Sequence, residues 1–178
     1  EQKHAMKELE LVEANSLTFY LREHQIMSGI GAKSNKDERL LELAEESPKL
    51  AIFARYTAQI DAYKCLFPEA VIIDGRTPDK GAMAEQVETM DEGVVLIQSD
   101  SAEGYELPSV HTAVFASMSY SYLSYVQSMG RFIRINKENK PKRFFYLLTR
   151  GTIDEEVYKN IIKKQDFDIA LFAKKSIL

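Results

Sequence analysis

Five short apolar runs recur along this chain, at 49–54, 70–73, 93–97, 111–115 and 143–148, with helix-patterned segments between them. A continuous apolar run of strand length requires burial on both faces. Strands of that kind, alternating with helices, build a mostly parallel sheet with helices packed on either side. The intervening segments at 58–67, 79–89, 120–129 and 153–172 read as helices, the last as one long closing helix. Two more helices are expected upstream. Residues 1–27 contain no Pro or Gly and place Leu9, Val12, Leu17 and Leu21 at helical spacing, and 36–46 set Leu40, Leu41 and Ala44 on one side. Ser28-Gly29-Ile30-Gly31 breaks the pattern between them, and Pro48 closes the second. The expected organisation is a helical extension over 1–36 followed by one α/β domain over 37–178.

At 178 residues, 45% hydrophobic and 28% charged, the chain has enough apolar material for a single buried core. No apolar run approaches the roughly 18 residues of a membrane span, so no membrane association is expected. The first residues, Glu1-Gln2-Lys3-His4, carry no secretory pattern, and a cytoplasmic setting is expected. The single cysteine, Cys65, lies in an apolar stretch and is expected to be a buried small side chain. With three scattered histidines (His4, His24, His111), no metal site is expected.

The net charge of −4 conceals an asymmetry. Between Arg131 and Arg150 seven basic residues face one acid, Glu138, so that segment carries +6 and the remainder −10. A basic stripe on an acidic body suits a phosphate-rich ligand held at one edge. Just before the stripe stands Gln127-Ser128-Met129-Gly130-Arg131-Phe132-Ile133-Arg134, where a helix should end. Two arginines three apart share roughly one side of a helical turn, and planar guanidinium forks match phosphate oxygens. Gly130 allows a neighbouring surface to approach closely.

This Q-x-x-G-R-x-x-R segment resembles the sixth motif of the superfamily 2 helicases and translocases. In that family the two arginines, here Arg131 and Arg134, reach the γ-phosphate of ATP held by another lobe, with Gln127 and Gly130 beside the nucleotide. Other segments resemble further motifs in the same order. Gln98-Ser99-Asp100-Ser101-Ala102-Glu103-Gly104-Tyr105-Glu106-Leu107-Pro108 is similar to the fifth. The resemblance implies that Gln98, Ser99 and Ser101 touch the nucleic-acid backbone and that Gly104 and Glu106 lie near ATP. Leu50 to Tyr56 resembles the fourth motif, which makes Arg55 and Tyr56 nucleic-acid candidates. Asp74-Gly75-Arg76-Thr77 resembles a D-G-x-T turn, adding Gly75 and Arg76. Leu21 to Gly29 looks like the linking helix that precedes this lobe in Swi/Snf-type and phage helicases, and Thr152 would cap the closing helix.

Departures from the Swi/Snf pattern are equally visible. Tyr105-Glu106 stands where a Leu-Asn pair is usual, Ser117-Met118-Ser119 where Trp-Asn-Pro is usual, and Ile135-Asn136 where Gly-Gln is usual. These point to a compact phage-like or bacterial helicase. The implied fold is three-layer α/β and RecA-like, the implied cofactor ATP with Mg²⁺, and the implied partners an N-terminal RecA-like lobe and DNA or RNA. No G-x-x-x-x-G-K-[ST] loop and no Mg²⁺-holding Asp-Glu pair is recognisable, so this chain alone is expected not to hydrolyse ATP. The alternative is a non-catalytic RecA-like module that binds nucleic acid or protein. An unrelated α/β enzyme lacks a nucleophile–base pair to support it.

Overall fold

β1 (Lys49–Ala54) occupies the centre of a five-stranded sheet because nearly every residue in it is buried. It pairs on one side with β3 (Gly93–Gln98) and on the other with β4 (Thr112–Phe115). The short β2 (Val71–Ile73) flanks β3, and β5 (Arg143–Tyr146) flanks β4. The order is β2-β3-β1-β4-β5 and every pairing is parallel. The computed structural model describes residues 2–30, 34–101, 103–133 and 141–176, with 2–13 as backbone alone.

Alternation along the strands divides the core into two layers. Ala51, Phe53, Ile73, Val95, Ile97, Ala113 and Phe115 share one face with α4 (Lys80–Thr89), α5 (Tyr122–Gly130) and α6 (Ile153–Ile162). Leu50, Ile52, Ala54, Leu96 and Val114 face α2 (Asn35–Glu45) and α3 (Thr57–Leu66). The result is the expected three-layer α/β domain, preceded by α1 (Gln2–Met27). The expected cap at Thr152 is present, and Ser34 adds another at α2. Ser34 forms a capping box with Asp37, and Thr152 accepts from the Asp154 N–H with acids filling the first turn of α6. Among the described residues, no helix is long and apolar enough to cross a membrane.

Two expectations are corrected. The closing segment is two helices, α6 and α7 (Ile169–Lys175), not one spanning 153–172. Lys164 takes a left-handed φ of 62°, Phe167 turns into the core, and its N–H donates to the Tyr120 carbonyl at 2.7 Å. Burying Phe167 and capping α7 with Asp168 replace the helical hydrogen bonds lost at the break. Cys65 is exposed, because α3 turns Gln59, Ile60 and Tyr63 inward and position 65 falls off that face. The helix expected over 1–27 is present as α1, with Leu21 on its exposed side. α1 docks instead through Tyr20 on Phe172 of α7 and through a buried His24, while Leu9 and Val12 lie outside the described side chains.

Candidate nucleic-acid and nucleotide interface

Because all five strands are parallel, the loops leaving them emerge along one edge, where ligands of such sheets collect. Arg55 and Tyr56 follow β1, Gly75 and Arg76 follow β2, and Ser99 and Ser101 form a 3₁₀ turn after β3. Gln98 joins these loops. Its Oε1 accepts from the Gly75 N–H at 3.1 Å, and its Nε2 points to the Arg55 carbonyl and Thr57 Oγ1, both at 3.5 Å. Ser99 is buried, its Oγ reaching the Ala54 carbonyl at 3.4 Å, and Ser101 is buried with its carbonyl accepting from Lys80 Nζ. Both serine side chains therefore shape the turn and offer little hydroxyl surface. Arg76 bridges Asp61 and Asp74 at 2.7 and 2.6 Å, so its charge is already matched within the fold. Burial works against ionisation of Asp74, yet hydrogen bonds from the Arg76 side chain and backbone hold its carboxyl below the usual range.

The arginine segment is set by α5. Ser121 caps its start, buried Ser128 and half-buried Met129 face inward, and Phe132, almost fully buried edge-on to Phe53, pins the turn that follows. Gln127, Gly130 and Arg131 then occupy the i, i+3, i+4 positions of another face. Arg131 Nη1 donates to the Tyr105 carbonyl at 3.0 Å, and the Leu107 N–H donates to the Arg131 carbonyl at 2.9 Å. Those bonds bring the loop bearing Gly104 and Glu106 against the arginine turn. Gly104 has a φ of 83°, a conformation that favours glycine, and a Cβ at Gly104 or Gly130 would meet no atom of the described residues within 4 Å. Arg134 lies outside the described residues. Around this face Leu123, Val126 and Ile133 are 64%, 42% and 57% exposed, an apolar surface beside a cation.

A buried polar hub, not anticipated from the sequence, fastens α1 to the sheet. His24 Nδ1 lies 2.8 Å from the Tyr56 hydroxyl and 2.9 Å from that of Tyr120, and its Nε2 lies 3.5 Å from Asp154 Oδ1. A carboxylate can only accept, so the ring hydrogen belongs on Nε2 and Nδ1 accepts. Asp154 Oδ2 also takes Lys36 Nζ at 2.7 Å and the Thr149 N–H at 3.1 Å, and Lys36 Nζ reaches the Ala116 carbonyl at 3.0 Å. Burial, more than the opposing pull of Asp154 or the repulsion of Arg55 and Lys36, drops the His24 pKa to about 4. Burial likewise raises the Glu23 carboxyl above its ordinary value, although the Ile153 N–H supports its charge. No sequence signal marks this hub, since its members are dispersed from α1 to α6.

A pH dependence follows. Above about pH 6.5 His24 is neutral both folded and unfolded, and its full contribution to stability is present. Between about 6.5 and about 4 the unfolded chain takes up a proton that the folded chain refuses, so stability falls with pH. The loss reaches on the order of 3 kcal/mol. Urea unfolding of wild type and His24→Gln across this range should give a slope difference confined to that window. Parallel curves would refute it.

The model of the helicase conserved C-terminal domain matches residues 35–136, more than half of the chain. The chain belongs to this family. It is a RecA-like C-terminal domain of the superfamily 2 helicases and translocases. A Methanocaldococcus jannaschii protein named as an ATP-dependent RNA helicase is 27% identical over 145 residues, spanning 75% of this chain. The chain covers only 17% of that relative's length. The C-terminal part of the Fun30 ATPase domain superposes with a TM-score of 0.69 at 16% identity, over 81% of this chain and 54% of that one. The Pyrococcus furiosus Hef helicase domain gives 0.57 at 23% identity, over 74% and 29%. These two structures share the fold.

Within this helicase C-terminal domain, the candidates fall into two groups. Arg55, Tyr56, Gly75, Arg76, Gln98, Ser99 and Ser101 gather at the strand-end edge, and Gly104, Glu106, Gln127, Gly130 and Arg131 gather around the C-terminal half of α5. Tyr105, which lies under Arg131, has a buried hydroxyl with no hydrogen-bond partner among the described residues, and burial pushes its pKa upward. Tyr105→Phe removes that unpaired group while keeping the ring. It should leave the domain as stable as wild type or more stable by about 1 kcal/mol, read from the urea midpoint. A clear loss of stability would mean the hydroxyl is satisfied in solution.

Proposed function

We propose that this chain is the second motor lobe of an ATP-dependent nucleic-acid helicase or translocase, completing an ATP site whose phosphate loop lies on a first lobe of the same protein. The observation carrying this reading is the arginine face of α5. Arg131 is held on the Tyr105 carbonyl beside Gly104 and Glu106, and exposed Leu123, Val126 and Ile133 surround it. A helix face that is apolar, bears a guanidinium and has two glycines uncovered by any of the described residues fits a partner lobe carrying phosphate groups. ATP bound with Mg²⁺ supplies the phosphoryl group, and acids of the first lobe would hold the metal. Arg131 and Arg134 neutralise charge on the transferring phosphoryl group, and Gln127, Gly130, Gly104 and Glu106 line the nucleotide.

The strand-end edge serves as the nucleic-acid track, with Arg55, Tyr56, Gly75, Arg76, Gln98, Ser99 and Ser101 as its surface. Since Ser99 and Ser101 turn their hydroxyls inward, their part is to present backbone groups, and Arg76 would have to share Asp61 and Asp74 with a phosphate. Contacts of this kind are sequence-independent and salt-sensitive. α1, within the segment 1–36, links the lobes. The test is nucleic-acid-stimulated ATP hydrolysis by the full-length protein, wild type against arginine variants, with duplex DNA and single-stranded RNA as separate stimulants. Stimulated hydrolysis that collapses in the variants supports the motor. Binding without any hydrolysis supports instead a non-catalytic nucleic-acid module.

A further inference from the structure

Two arginines stand at the nucleic-acid edge, and their surroundings differ. Arg76 is neutralised by Asp61 and Asp74. Among the described residues no carboxylate pairs with Arg55; its guanidinium carbon instead lies 3.8 Å from the centre of the Tyr120 ring and 5.7 Å from that of Tyr56. The shorter separation is van der Waals contact, so the guanidinium sits over the face of Tyr120, where the ring's negative charge attracts it. Tyr120 is itself fixed on three sides. Its hydroxyl lies 2.9 Å from His24 Nδ1, its ring stacks on the His24 ring at 5.3 Å and meets Phe167 edge-on at 5.2 Å, and its carbonyl accepts from the Phe167 N–H.

We propose that Tyr120, braced by His24 of α1, is a positioning residue that holds Arg55 at the strand-end edge as the principal phosphate contact of this lobe. The inference rests on the reading of that edge as a nucleic-acid track. A free arginine side chain samples many rotamers, and ordering it on binding weakens the contact. Contact with a ring fixed from beneath removes that freedom in advance; one donor meets the Tyr56 hydroxyl, and the others are left for phosphate oxygens. Because the brace comes from α1, movement of that helix relative to the sheet would alter the posture of Arg55. Arg76, held by two acids, contributes less.

The test is equilibrium binding of the full-length protein to duplex DNA and to single-stranded RNA, titrated between about 50 and about 200 mM salt. Arg55→Ala should weaken binding about fivefold and lower the slope of log affinity against log salt by about 0.9 on duplex or 0.7 on single strands. Tyr120→Leu should weaken binding to a similar extent, and adding it to Arg55→Ala should cost nothing further. Tyr120→Phe keeps the ring, drops the hydroxyl and should lose only about twofold. Wild-type affinity in folded Tyr120→Leu, or losses that simply add to those of Arg55→Ala, would overturn the positioning role. If Tyr120→Leu does not fold, wild-type affinity in Tyr120→Phe overturns the brace. An Arg55→Ala variant that binds normally on both probes overturns instead the reading of the edge on which the role depends.

Discussion

Replacing Arg131 with alanine in the full-length protein is expected to lower nucleic-acid-stimulated ATP hydrolysis by at least about 100-fold, with ATP binding much less affected. A guanidinium that meets developing charge on the phosphoryl group stabilises the transition state more than the bound nucleotide, so the rate suffers before affinity does. Arg134→Ala should behave alike. Arg131→Lys should recover little, because an ammonium lacks the planar fork that engages two phosphate oxygens together. The Arg131 side chain is half-buried; its bond to the Tyr105 carbonyl is lost on substitution, but the bond from the Leu107 N–H goes to the Arg131 carbonyl, which every substitution retains. Unchanged melting with collapsed turnover is the expected pair of results, and equal rates in wild type and variant would remove the arginine from the site.

The second large effect is on stability. Lys36→Met leaves Asp154 charged and buried without its closest cation, which lies 2.7 Å away in the wild type. Breaking one side of a buried ion pair typically costs about 3–5 kcal/mol, which for a domain of this size lowers Tm by roughly 6–20 °C. Replacing both partners with apolar residues often restores stability in simpler pairs. Here Lys36→Met with Asp154→Leu should recover only part of the loss, because the Thr149 N–H and His24 Nε2 also depend on Asp154. The single change also strips the Ala116 carbonyl of its lysine. Thermal and urea unfolding of the single and double variants measure both effects, and a shift below about 1 kcal/mol for Lys36→Met would mean that the pair is dispensable.

Much of the fold was legible along the chain. β1 and β3 are found within a residue of their apolar runs, because a parallel strand buried on both faces writes its burial as an uninterrupted stretch. The arginine turn was legible through its motif, and its place after β4 put it beside the loop that carries Gly104 and Glu106. Other features were not. Apolar spacing found α1 but not how it docks, because its docked end uses Tyr20, Glu23 and His24, two of them polar groups whose partners come from distant segments. The break between α6 and α7 was hidden because Phe167 leaves the helix to fill a space that exists only once α5 is in place.

Local chemistry written in the sequence determined the strand and helix alternation, the caps at Ser34 and Thr152, the family and the residue types available for phosphate. Each depends on neighbours a few positions away or on a motif carried whole. Tertiary structure decided which of those charges are matched within the fold. Arg55 and Arg76 look equivalent as sequence, yet one is laid on Tyr120 and the other is matched by Asp61 and Asp74. Electrostatic interactions depend on distance in space and on burial, and both are set only when segments remote along the chain come together.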